Sequence, residues 1–486
     1  MTRSGHWGIA AVVALAGCAP IAEPRGVLGQ LWRLEVGPHY ERPSVDSPED
    51  FRGRIGPEDA ASFADLPWWE VFGDPVLRHL VTQSLTGNYD LLAAVARIEQ
   101  ARAQVGIAAS DLYPQIGYEG AAQRQRGATI PGGPHRTFNT FLGAFNVAWE
   151  IDVWGRIRRS TESARAQYLT TEEARRGVIV TVVSATATDY FQLLELDREL
   201  AIARESAETY QRTLDVFTER YRGGTDTRIS TARAEASLRA SLAAIAALTR
   251  QIAQQENAIS ALLANNPAPI DRGMPLLAQS APPTPPGLTT ALVQRRPDVR
   301  QAEQNMISAN AEIGVAVANF FPVIGLSALY GGQDPKIGDV VTSSANVWNI
   351  AANVSGPIFQ GGRLIQAYHA QQAFWDETIA DYRATIVGAF REVADALAAQ
   401  TQLADQREAQ EGEVAALRQA LELSLLRYRA GRANYIEVLD AAQLLYPAEN
   451  ALAQTQRDQL FAVVNLYKAL GGGWQMPAEQ LTAGRS

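Results

Sequence analysis

The chain predicts an internally duplicated α+β fold, two copies of one program of paired strands and very long helices. Three observations carry that prediction. Arg220-Tyr221-Arg222-Gly223-Gly224 returns as Arg427-Tyr428-Arg429-Ala430-Gly431, and the same shift of 207 residues carries Gly155-Arg156 onto Gly362-Arg363 and Leu263 onto Leu470. Short segments alternate apolar and polar residues, and beyond them lie a run of about 67 proline-free residues between glycines and a further helical run with heptad spacing. A neighbouring shift of 208 carries Asp90 onto Asp298 and Pro114 onto Pro322, and one insertion reconciles the two registers. Like copies sit in like environments, so a difference between them is a clue to function.

The strands come first in each copy. Phe141, Gly143, Phe145, Val147, Trp149, Ile151 and Val153 share one parity, opposite Asn146, Ala148, Glu150 and Asp152, which predicts a strand over about 138–153 with one apolar and one wet face. Trp348, Ile350, Ala352, Val354, Gly356 and Ile358 repeat the pattern opposite Asn349, Asn353 and Ser355, over about 345–359. Partner strands are expected over about 113–124 and 321–332. An aromatic-bearing outer face fits a membrane barrel with a polar interior, and a soluble sandwich shows the same alternation. Four strands cannot close a membrane barrel, whose smallest form has about eight. On the membrane reading the barrel is shared among subunits.

The helices follow, over 156–222 and 227–264 in the first copy and 363–430 and 434–470 in the second. A continuous helix between Gly155 and Gly223 would extend about 100 Å. Leu238, Ile245, Ile252 and Ile259 repeat every seven residues with Leu248 and Leu262 between them, and Leu445, Leu452 and Leu466 keep the pattern in the second copy. Such a seam is too narrow for a globular core. It leaves a rod-like coiled-coil scaffold or a wall of helices continuing a barrel, and strands interrupting both copies at one point favour the wall. The first repeat covers 68–265, a Pro-rich linker expected on the surface covers 266–287, the second repeat covers 288–473, and a tail covers 474–486.

Composition removes several functions. Of 486 residues 20% are charged and 47% hydrophobic, enough for a packed core, and the net charge is −9 with lysine only at Lys336 and Lys468. That balance excludes a nucleic-acid binder. The histidines are scattered, and no His-Glu-x-x-His, phosphate-cradling loop or Gly-x-Ser-x-Gly elbow occurs, so neither an enzyme nor a bound cofactor or metal is expected. Arg3, an apolar stretch from Trp7 to Leu15 and then Leu15-Ala16-Gly17-Cys18 describe an export signal over 1–17. A polar, Pro-rich tether follows over 18–67. Cys18 is the one cysteine, so disulfides are excluded; on composition alone it is a small apolar residue of the signal or a free thiol.

One acidic constellation separates the copies. Glu437 and Asp440 stand three apart on a helix and share a face, with Ile436 four before Asp440. With Val438 in the seam of Leu445 and Leu452, that face points away, toward a lumen or solvent. The shift places Ser230 and Arg233 at the corresponding positions, so the acids belong to the second copy alone.

These residues carry a resemblance to the TolC-like outer-membrane efflux channels, in particular the lipoprotein branch allied to OprM and NodT. Its stretches are Val36-Gly37-Pro38 with Tyr40 and Pro43, Trp68-Trp69 with Phe72 and Asp74-Pro75, Arg295-Arg296-Pro297-Asp298-Val299-Arg300-Gln301-Ala302-Glu303, Phe359-Gln360-Gly361-Gly362-Arg363, and Asn465 through Trp474. The resemblance implies a homotrimer in which each chain gives four strands to one outer-membrane β-barrel and its helices to a long periplasmic α-barrel, with a small mixed equatorial region. It implies a passive exit duct for drugs or other small molecules, coupled through a periplasmic adaptor to an inner-membrane pump of the resistance-nodulation-division type. Related channels export polypeptides, as in type I secretion, and the scaffold without a pore stays as a further alternative. Leu-Ala-Gly-Cys resembles the bacterial lipobox, which implies covalent lipid on Cys18 and anchoring in the outer membrane of a Gram-negative bacterium. The segment Tyr428 to Asp440 resembles the family's periplasmic gate. Asp440 and Glu437 are then the constriction ring, Ile436 an apolar collar, and Arg427 with Tyr428 a latch; solvated helix-face charge is the plainer alternative. Gly223, Gly224 and Gly431 mark the helical tips where the adaptor is expected to dock, or helix caps, or both.

Overall fold

A computed structural model describes residues 34–45, 52, 63–67, 71, 73–128, 134–279 and 289–474. Cys18, the export signal, Trp68-Trp69 with Phe72, and most of the tether lie outside the described residues. In order, the elements are α1 (Pro75–Gly87), α2 (Tyr89–Ser110), β1 (Gln115–Ala128), β2 (His135–Ile151), α3 (Arg156–Arg222), α4 (Arg228–Leu262), α5 (Thr289–Arg295), α6 (Pro297–Ala318), β3 (Val323–Asp334), β4 (Asn346–Ser355), α7 (Arg363–Arg429) and α8 (Tyr435–Ala469). The duplication is visible in the lengths. Helices α2 and α6 both have 22 residues, α3 and α7 both 67, and α4 and α8 both 35.

Contacts divide the chain into two units. The described residues within 34–41, 103–166 and 307–376 form the first, which holds one antiparallel sheet in the order β1-β2-β3-β4. Strand starts follow proline chemistry. Pro114 and Pro322 cannot donate to a ladder, so β1 opens at Gln115 and β3 at Val323. For the same reason β4 ends at Ser355, before Gly356-Pro357, and not near residue 359; Ile358 and Phe359 are exposed outside it. The first hairpin is longer than alternation suggests, because Gln123–Ala128 pair with His135–Thr140 where both faces are polar and the period-two signal vanishes. In this unit Arg159 is fully buried, with its Nε 2.6 Å from Glu35 and Nη2 donating to the Pro38 carbonyl at 2.9 Å. Gly37 lies in the left-handed region at φ 102°, and a Cβ there would meet the Cα of Gly314 at 2.6 Å. The Val-Gly-Pro stretch is thus a tight backbone crossing.

The second unit takes the described residues within 42–102, 167–306 and 377–474. Its firmest knot is Asp74. The carboxylate caps α1 by accepting from Val76 N at 2.8 Å and Leu77 N at 3.4 Å, and also accepts from Tyr190 Oη at 2.9 Å, Met274 N at 2.9 Å and Gln279 Nε2 at 2.8 Å. Burial pushes the Asp74 carboxyl up, and these bonds outweigh burial and hold it below its ordinary range. They also anchor the linker. The described part of the linker runs mostly over the surface, as expected, and is pinned at two points: Ile270 and Leu276 are buried, and Asp74 and the Tyr190 hydroxyl satisfy the backbone N–H groups of Met274 and Gly273. The Arg-Arg-Pro-Asp stretch is likewise structural. Buried Arg296 forks onto Asp298 at 3.0 and 2.7 Å, and its Nη1 donates to Glu392 at 2.7 Å and to the Ala469 carbonyl at the end of α8 at 2.9 Å.

Helix ends follow a single recipe. Thr225 N bonds back to Arg220 O and Gly224 N to Tyr221 O; Arg432 N bonds to Arg427 O and Gly431 N to Tyr428 O. Both are Schellman closures, with Gly224 at φ 72° and Gly431 at φ 67°. Gly223 keeps a helical bond to Glu219 O, so the left-handed exit falls on Gly224.

Candidate functional site

The heptad residues meet at the turns joining α3 to α4 and α7 to α8. One buried cluster gathers Ile202, Ala207, Tyr210 and Phe217 of α3, Ala234 and Leu238 of α4, and Tyr435, Val438, Leu439, Ala442 and Tyr446 of α8, with Tyr428 of α7 packed against it. The two copies therefore share one core here. Val438 is fully buried, while Ile436, Glu437 and Asp440 are exposed on the opposite face of α8. That face starts at Asn434, whose side chain caps α8 by accepting from Ile436 N at 3.2 Å.

Arg427 and Glu437 are brought together across the α7–α8 turn, Nη1 to Oε2 at 3.2 Å, with both side chains about half exposed. Asp440 has no ion-pair partner in the chain among the described residues. At the corresponding positions of α4, Ser230 donates to Asp226 at 2.8 Å and Arg233 is exposed. The acidic face is confined to the second copy.

Tyr428 does more than tie neighbouring turns. The guanidinium of Arg220, from the first copy, stacks 4.7 Å from its ring centroid, and the ring meets Tyr435 edge-on at 4.8 Å. Tyr435 packs on Phe217 at 4.7 Å and shares a short hydroxyl contact with Thr213. Burial raises the phenol of Tyr428 above its ordinary value and does the same for Tyr435, so both stay neutral. Reading the sequence for charge missed Arg220, Phe217 and Tyr435. The available signal was spacing within α3, where Tyr210 and Phe217 stand seven apart.

The sheet sorts its residues by face. Tyr118, Phe145, Tyr330 and Trp348 are directly opposite one another on the four strands and form one exposed aromatic row. Ile116, Val147, Ala328 and Ile350 form the next row on that face. The other face carries Gly117, Asn146, Leu329 and Asn349 in one row and Gln115, Ala148, Ser327 and Ala351 in the next. One face is aromatic and aliphatic; the other mixes amides and a hydroxyl with glycine, alanine and one leucine.

Comparison with known proteins decides what this arrangement serves. The sequence pattern of the outer membrane efflux protein family matches residues 80–265 and, a second time, 288–472. The chain belongs to the outer membrane efflux protein family. The two matches fall on the two copies. It is 33% identical over 417 residues to the toluene efflux pump outer membrane protein TtgC of Pseudomonas putida, covering 85% of this chain and 86% of that one. It is 30% identical over 445 residues to the cation efflux system protein CusC of Escherichia coli, covering 90% and 96%. Among solved structures, the open state of the MtrE outer membrane channel of Neisseria gonorrhoeae superposes with a TM-score of 0.81 at 30% identity, over 91% of this chain and 99% of that one. This efflux protein is the outer-membrane exit channel of a tripartite pump, mostly helical with a small sheet, and its long helical part is periplasmic.

Proposed function

We propose that three copies of this chain close one β-barrel of twelve strands, aromatic face to lipid and polar face to a lumen, and conduct small molecules passively outward. The observation that carries this reading is the open sheet itself. Both edges, β1 over Gln115–Ala128 and β4 over Asn346–Ser355, offer ladders of unpaired backbone groups, and such long edges call for a partner strand. A neighbouring copy supplies one on each side, and in a bilayer no edge can be left open. Relatives are named for toluene and for cations. That range fits a duct that admits what an inner-membrane pump, of the resistance-nodulation-division type on this reading, selects and an adaptor delivers to the helical tips at Gly223, Gly224 and Gly431. Covalent lipid on Cys18 anchors the chain.

At the periplasmic end Asp440 and Ile436 supply the constriction on this reading, three of each around the axis. Glu437 joins the ring, restrained by Arg427, and Tyr428 under Arg220 latches the turns. A ring of carboxylates attracts cations, an effect weakened by salt. In planar bilayers Asp440→Ala should raise conductance and lower both cation selectivity and block by multivalent cations from the periplasmic side. Arg427→Ala should raise conductance with selectivity kept. If Asp440→Ala leaves selectivity and block untouched while Arg233→Ala changes them, the constriction belongs to the first copy.

A further inference from the structure

One recess on the aromatic face remains unexplained by conduction. Above the row Tyr118, Phe145, Tyr330 and Trp348 the next cross-strand row is Gly120, Gly143, Gly332 and Asn346, so the sheet presents a floor almost without side chains. The β3–β4 loop folds back over part of it. A Cβ on Gly332 would lie 1.8 Å from the Val340 carbonyl oxygen and one on Gly143 would lie 3.5 Å from Val340 Cγ1, whereas one on Gly120 would meet nothing within 4 Å. Floor, aromatic row and loop enclose a groove of about 1010 Å³ that opens outward beside Val341, which is fully exposed, with Ile337 exposed on the same loop. A glycine floor is costly to order in a strand, and it marks a place where another group approaches the backbone closely.

The slot has a charged rim. Arg124 and Arg126 have the same parity as Tyr118 and Gly120, stand in the rows beyond the groove opposite Asn139 and Thr137, and are exposed with no acidic partner among the described residues. Lys336 adds a third cation on the loop; the nearby acids are Glu119, which lines the groove, Asp334, which stands opposite Phe141 in the row before Arg124 and accepts from Lys336 N at 2.8 Å, and Asp339. Aromatic row, apolar slot and cationic rim succeed one another along one face, so the slot adjoins the rim as acyl chain adjoins anionic headgroup in a leaflet.

We infer that the groove between the glycine row and the β3–β4 loop holds an acyl chain of a phosphorylated outer-leaflet glycolipid, whose phosphate is met by Arg124 and Arg126. The inference rests on the reading that the aromatic face is turned to lipid, with which the groove is continuous. The site is a contact with the membrane itself and not a step in transport.

The test retains both arms. The purified trimer, incubated with bisphosphorylated hexa-acyl lipid A or with a zwitterionic phospholipid, is analysed for bound lipid by native mass spectrometry. Retention of the bisphosphorylated lipid should exceed that of the zwitterionic one at least tenfold, and Arg124→Gln with Arg126→Gln should remove the difference. Gly120→Leu, which fills open space, should reduce retention of both lipids. Equal retention of the two lipids, or no loss in the arginine variant, overturns the inference. A photocrosslinking benzophenone in place of Phe145 separates the failures: label transferred to lipid while the arginine variant changes nothing sinks this site alone, whereas no transfer to lipid sinks the lipid-facing reading beneath it.

Discussion

Glu195 on α3 is 2% exposed, receives Gln192 Nε2 at 2.5 Å and lies 3.6 Å from Arg457 Nη1 of α8. Burial, together with the hydrogen-bonded carboxyl of Glu199 one turn on, pushes it from its ordinary value of 4.5 up to about 8, against the opposing pull of Arg457. The fold therefore prefers the neutral carboxyl. Stability from this group is fully present below about 4.5 and is lost as pH rises through about 8. The melting temperature of the solubilised channel should fall between pH 5 and pH 8, and Glu195→Gln should flatten that slope; a slope unchanged by the substitution removes Glu195 as its cause. Asp74 has the opposite sign, since its lowered pKa makes it a stabiliser that fails only in acid. Neither role was legible in the sequence. Asp74 was visible as part of a shared stretch, but its five donors come from α1, α3 and the linker, and no local pattern announces them.

Elements were far more legible than residues, because they follow from period and punctuation. Proline and glycine bound the strands, and the aromatic row is what the common parity of Phe145 and Trp348 becomes once register aligns them. The first hairpin's polar extension and the two buried anchors of the linker, Ile270 and Leu276, escaped, one for lack of alternation and the other because its partners are remote. The duplication makes two element-scale predictions. Ala264 sits at φ 57° where the second copy has Gly471 at φ 79°, each closing a long helix. An L-residue in that conformation costs about 1 kcal/mol, so Ala264→Gly should stabilise by about that amount in denaturant unfolding. Gly471→Ala should destabilise by more, since its Cβ would meet Arg295 and Arg296 backbone at 3.2 Å. Stabilisation by both would show that the two closures are not equivalent. In the sheet, Val147 and Asn146 point to opposite faces. An arginine on the lipid side near midplane costs about 2–4 kcal/mol, so Val147→Arg should reduce heat-stable trimer in outer-membrane fractions while Asn146→Arg is tolerated. Equal tolerance means the faces are reversed or no lipid meets them.

At the scale of the whole molecule, the first copy and the second contribute equal helices but unequal chemistry, so the acids of α8 are repeated once per chain and not twice. The sheet has two open edges and the helices a seam that extends beyond a single core, and both are incomplete without further copies. Closure of the sheet is the central claim, and a single-channel recording in a planar bilayer reads it most directly. Purified protein should give discrete, ohmic conductance steps, small in the wild type and larger in Asp440→Ala. Protein shown to be inserted that passes no current in either form would contradict a shared, water-filled barrel.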